Sequence, residues 1–103
     1  MILHCVFCSF RTDVTLDQRA EILGELSDFS LTLEGVLGFD FGPNRDFEKK
    51  SESYDRGFVI RFETHAALEA YAVHPTHQKL GGRLCDLLNG GADGLVVFDL
   101  ETP

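Results

Sequence analysis

Basic residues are scarce in this sequence. Its 103 residues hold 3 lysines and 6 arginines against 17 acidic side chains, a net charge of −8. Binding to phosphate needs a basic face, so no nucleic-acid partner is expected, and an anionic membrane surface is excluded on the same ground. Low-complexity tracts are missing too, which leaves an ordinary folded globule of one domain, residues 1–103. The apolar start, Met1 to Phe10, lacks a basic leader and a small-residue cleavage site and carries His4 inside the run. It therefore does not read as a secretory signal, and it is too short to span a bilayer. Cysteine occurs three times, an odd number that argues against a disulfide framework. Cys5 and Cys8 have C-x-x-C spacing, but on a strand they point to opposite faces and cannot share a metal. A reduced, cytoplasmic protein is expected.

Periodicity supplies the elements. Ile2 to Phe10 reads as a strand apolar on both faces, with His4, Val6, Cys8 and Phe10 on one and Leu3, Cys5 and Phe7 on the other. Thr15 to Gln18 has capping-box spacing and opens a helix whose stripe is Ile22, Leu26, Phe29 and Leu33, stopped by Gly35. Val36 to Phe41 alternates, with Leu37, Phe39 and Phe41 on one face. A polar loop over residues 43–55 follows. Phe58, Ile60 and Phe62 mark a third strand.

Thr64 caps a short helix with Ala67, Leu68, Tyr71 and Ala72 turned inward. Pro75 interrupts it, and a second helical segment carries Leu80, Leu84, Leu87 and Leu88 before Asn89-Gly90-Gly91. Leu95 to Leu100 is the last strand. The order β-α-β-β-α-β is that of an α+β, ferredoxin-like protomer. Helices can cover only one face of such a sheet. The open face keeps Leu3, Cys5 and Phe7, so a homodimer packed sheet to sheet is expected, closing a dimeric α+β barrel.

The run Tyr54 to Glu63, followed by Leu68 to His77 with its Tyr71-Ala72-Val73-His74-Pro75-Thr76-His77 core, resembles the stress-responsive α/β-barrel (Dabb) family. His4 with Phe10 and the stretch from Gly35-Val36 to Gly42-Pro43-Asn44 share that resemblance, which extends over nearly the whole chain. It implies the dimeric barrel. For a plant polyketide cyclase of the family it also implies an acid–base pair at the positions of Tyr71 and His77, with a pocket histidine at His4. Relatives often carry a lysine near position 9 and a proline before the glycine; Ser9 and Glu34 stand here. Where the cyclase pocket uses a tyrosine of the first helix, this chain offers Leu26 and Phe29, which implies a different substrate.

His77, Gly81, Leu84 and Leu88 share one helical stripe, and Gly81 leaves space one turn from the imidazole. Together with this stripe, the resemblance implies a small-molecule pocket around Tyr71 and His77, lined by His4, Phe10, Phe62, His74, Gly81 and Leu84. Binding a small apolar or aromatic molecule is the first function this supports. The alternative is a cofactor-independent enzyme with His77 as base and Tyr71 as proton donor. No cofactor and no metal are expected. A site built on His4, His74 and His77 with Asp40 or Glu63 is spoiled by the break at Pro75, and no further mark of a haem site is present.

Overall fold

The computed structural model describes all residues, Met1–Pro103. Strand β1 (Ile2–Cys8) is followed by helix α1 (Leu16–Ser30), strands β2 (Val36–Pro43) and β3 (Arg56–Phe62), helices α2 (His65–Val73) and α3 (Pro75–Cys85), and strand β4 (Leu95–Glu101). The strands form one antiparallel sheet of order β2-β3-β1-β4, so the first and last strands are neighbours and β4 lies at an edge. This is the ferredoxin-like arrangement, with the helices on one face of the sheet.

Local chemistry sets the helix starts. Thr15 accepts from the Gln18 backbone N–H while the Gln18 side chain accepts from the Thr15 N–H, a complete capping box. Thr64 caps α2 by accepting from the Ala67 N–H. At Pro75 the chain has no N–H to continue α2, so His74 both closes that helix and caps the next, its Nδ1 accepting from the Thr76 N–H at 3.0 Å.

The core lies between sheet and helices. Val6 and Cys8 of β1, Phe58, Ile60 and Phe62 of β3, and Ile22, Leu23 and Leu26 of α1 are buried together with Tyr71 and Leu84. Each large side chain withdrawn from water here contributes roughly 1.5–3 kcal/mol. Beneath the β2–β3 loop a single ion pair ties distant segments. The Arg19 guanidinium meets Asp55 at 2.7 Å, and the other Asp55 oxygen accepts from the Phe10 N–H at 3.0 Å.

The helices end earlier than the apolar periodicity implies. Helix α1 stops at Ser30 and α3 at Cys85, so Leu33, Leu87 and Leu88 belong to the turns that follow. They still pack against the core, and Leu88 forms an isolated bridge with Phe10. Gly35 ends no helix; it turns the chain into β2 at φ +83°, where a side chain would also strike Ala67. In β2, Phe39 and Phe41 share a face as expected, but the register slips between Val36 and Gly38. Leu37 is the extra residue of this bulge and is exposed. In α2, Ala72 is exposed, leaving Ala67, Leu68 and Tyr71 inward.

On the open face the registers align Leu3 with Leu100, Cys5 with Phe98 and Phe7 with Val96. Phe98 is 62% and Leu100 57% exposed, an apolar surface that the chain itself leaves uncovered. Phe7 lies over Gly57, where any side chain would collide with its ring. All three cysteines are free, with Cys8 buried and Cys5 on the open-face parity. No helix is long and apolar enough to cross a membrane.

Candidate functional site

His4 is the polar exception on the helix-facing side of β1, where Ile2, Val6 and Cys8 are buried. The β1–β4 register sets Asp99 directly opposite it. Its Nδ1–H donates to the Asp99 carboxylate at 2.6 Å, and the ring meets Phe62 and Tyr71 edge-on at centroid distances of 6.1 and 5.9 Å.

Tyr71 comes from the inner stripe of α2 and is 2% exposed. Burial pushes its phenol well above the ordinary range, so it stays protonated at neutral pH; the Ser30 hydroxyl nearby pulls the other way, less strongly. Ser30 Oγ is itself buried and reaches no partner with good hydrogen-bond geometry.

His77 sits in the first turn of α3, its ring centroid 4.1 Å from that of Tyr71. The break at Pro75 fixes its orientation. Since the Thr76 N–H turns to His74, the Ala72 carbonyl loses its regular helical donor, and His77 Nδ1–H takes it at 3.1 Å. This tautomer leaves the His77 Nε2 lone pair without a partner in the chain. Burial lowers the His77 pKa, repulsion from His4 and His74 adds to this, and the Ala72 hydrogen bond opposes it. The imidazole is neutral at pH 7 and can accept a proton.

These three rings border a cavity of about 220 Å³ between sheet and helices. Gly81 and Leu84 of α3 form one wall, Leu26 and Phe58 the interior, and Leu95 and Val97 the side toward the β4 edge. A Cβ at Gly81 would meet nothing within 4 Å, so this wall has open space beside it. A wider groove of about 360 Å³ runs between α1 and α3, but its borders are mostly polar: Gln18, Glu21, Arg83 and Asp86. Arg83 is already committed to Glu25 at 2.6 Å. The chemistry is concentrated in the smaller, apolar cavity.

Of the residues expected to line a pocket, the fold brings together His4, Tyr71, His77, Gly81 and Leu84. It places three elsewhere. Phe10 is buried two residues past the end of β1, with the Arg19 guanidinium 5.4 Å from its ring centre. Phe62 does not line the cavity but packs edge-on against the His4 ring and at a tilt against the Tyr71 ring. His74 is spent on capping α3 and packs on Phe29 at 4.8 Å. Its removal dissolves the three-histidine cluster, and nowhere do three His, Cys, Asp or Glu side chains converge as metal ligands. Asp99 joins the site without having been expected there. Its one signal is an acidic residue breaking the apolar run Leu95–Leu100, which acquires meaning only once the antiparallel register is known.

A ferredoxin-like α+β protomer with an apolar cavity bearing two anchored imidazoles is thus the class defined by fold and site. The chain belongs to the stress-responsive A/B barrel domain family, whose pattern matches residues 2–102. It is similar to a dimeric ferredoxin-like protein of unknown function from Jannaschia sp. CCS1, with 44% identity over 98% of both chains and a TM-score of 0.90. A protein of Arabidopsis thaliana shares the fold at 21% identity, 100% and 96% coverage and a TM-score of 0.87. So does a hydroxynitrile lyase from Passiflora edulis, at 10% identity, 99% and 93% coverage and a TM-score of 0.82. No curated protein sequence matches the chain.

Proposed function

We propose that the protein is a homodimer, joined through the open sheet face, whose cavities each bind one small apolar or aromatic molecule. The cavity carries this reading: about 220 Å³, largely apolar walls, and two imidazoles whose Nδ1 atoms are tied while their Nε2 atoms have no partner in the chain. Its volume lies below the range of roughly 300–1,000 Å³ usual for drug-sized ligands, which favours a compact ligand such as a substituted phenol or ketone. The apolar body takes the walls, and one oxygen takes an Nε2. The uncovered face around Phe98 and Leu100, and the dimeric Jannaschia relative, support the homodimer. Three unpaired thiols agree with a reducing, cytoplasmic setting.

Binding is tested by titrating small aromatic ketones and phenols into labelled protein and following the four histidine rings by NMR. Movement of His4 and His77 together supports the reading; no movement with any probe contradicts it.

The 4.1 Å approach of Tyr71 to His77 favours a second reading, a cofactor-independent acid–base enzyme acting on a carbonyl compound. His77 Nε2 takes the proton next to the carbonyl, the C–H electron pair forms the enolate, and the Tyr71 phenol donates to its oxygen. Return of the protons on the other face, or attack of the enolate carbon on a second carbonyl, completes isomerisation or aldol closure. Exchange of solvent deuterium into the α-position of a bound ketone separates the readings. A catalyst exchanges it and loses on the order of 10²–10⁴ in rate in His77→Ala, whereas a binder exchanges nothing above background.

A further inference from the structure

The β2–β3 loop is organised around one carboxylate. Asp46 accepts from the backbone N–H groups of Lys50 and Ser51 at 2.8 and 3.0 Å and from the Ser51 hydroxyl at 3.0 Å. Asn44 donates to Ser51 Oγ at 2.9 Å and to the Tyr54 carbonyl at 2.8 Å. Asp46 and Lys49 take left-handed φ angles of 45° and 54°, the latter a strained conformation for lysine. This bonded frame holds Phe47 at its tip, 91% exposed. Scattered exposed apolar residues are ordinary. A bare phenylalanine presented by a cross-braced loop next to an uncovered apolar face has the form of an interface anchor.

The matching recess lies on that face. A hollow of about 360 Å³ is lined by Phe7, Val96 and Phe98 of the open face and by Asn44, Lys50, Ser51 and Tyr54 of the loop. The chain's own Phe47 does not line it.

We propose that Phe47 of each copy inserts into this hollow of a second copy, a reciprocal lock at one end of the two facing sheets. This rests on the open-face homodimer proposed above. In a two-fold dimer every contact occurs twice, so one anchor and one recess per chain suffice. Anchor and recess lie at the same end of the sheet, which sets the two-fold axis along the strands. The loop tip carries Arg45, Lys49 and Lys50 against Asp46 and Glu48, so on a chain of net charge −8 it is a place where two copies meet without acidic repulsion.

The chain lacks tryptophan, so a Phe47→Trp variant gives one unambiguous fluorophore. Its emission is expected to be that of a buried indole in the dimer and to shift red on dilution. Sedimentation velocity of Phe47→Ala is expected to show a dimer dissociation constant raised about tenfold or more, with an unchanged circular dichroism spectrum. An exposed-indole emission in an intact dimer, or an unaltered dissociation constant in Phe47→Ala, overturns the lock. Phe98→Arg separates the two levels. If it breaks the dimer while Phe47→Ala does not, the lock is wrong and the interface stands. If the wild type is monomeric, or Phe98→Arg stays dimeric, the interface and the lock fall together.

Discussion

His4 and Asp99 face each other across the β1–β4 pair, with Nδ1 2.6 Å from Oδ1, so the carboxylate selects which nitrogen of His4 is turned to the cavity. The relation is the one by which an acidic residue orients a base in many active sites. Here it is joined to a second imidazole, His77, oriented by a backbone carbonyl instead.

Replacing Asp99 tests that orientation. Asparagine keeps an acceptor at the same place, so long-range ¹⁵N–¹H spectra of Asp99→Asn are expected to retain the Nδ1–H form of His4. Asp99→Ala is expected to give a mixture of tautomers. Retention of a pure Nδ1–H form in Asp99→Ala contradicts the assignment.

Stability should depend on pH through His77. Burial lowers its pKa in the folded state, so below about pH 6.5, the unfolded value, the unfolded chain binds the proton first. Folding is then progressively weakened as pH falls toward the folded pKa, and no penalty remains above neutrality. Urea unfolding at pH 7.5 and pH 5.5 is expected to show a smaller loss in His77→Gln than in the wild type. Equal losses in both proteins contradict a lowered His77 pKa.

Asp55 holds α1 and the start of β3 to the end of β1 through Arg19 and the Phe10 N–H. Asp55→Ala removes the acceptor of the Phe10 N–H and of Arg19 Nη1, while Arg19 keeps the Val14 and Arg11 carbonyls, at a cost on the order of 2 kcal/mol. Asp55→Asn retains the amide acceptor and should cost about half as much. Denaturant midpoints at constant m-value measure both.

Much of this fold is legible in the sequence because its punctuation is local. The Thr15–Gln18 box, the Thr64 cap and the Pro75 break each act within four residues, and the structure places all three as expected. Helix ends are less legible, since apolar periodicity reports which residues are buried, not which remain hydrogen-bonded in a helix. Leu33 and Leu88 keep the period and the burial after α1 and α3 have stopped. The bulge at Leu37 is invisible in an alternating pattern for the same reason.

The site divides in the same way. His77, Gly81 and Leu84 share one stripe of α3 by helical spacing, and Tyr71 lies a few residues earlier on the inner stripe of α2. Asp99 is far from His4 in sequence and meets it only through strand pairing. His74 stays out of the cavity because a histidine before proline has a nearer task in the turn between the helices. The free Thr76 N–H claims its ring and outweighs any role in the pocket.

The most direct measurement compares wild type and Gly81→Leu during NMR titration with a small aromatic ketone. The new side chain enters the open wall beside His77 and fills the cavity, while its better helix propensity contributes about 0.8 kcal/mol to α3. The His4 and His77 ring signals are expected to move with ketone in the wild type. In Gly81→Leu these shifts should vanish, with the thermal midpoint held or raised. Shifts that persist in Gly81→Leu, or that centre on the open face around Phe98, would contradict a ligand site between sheet and helices.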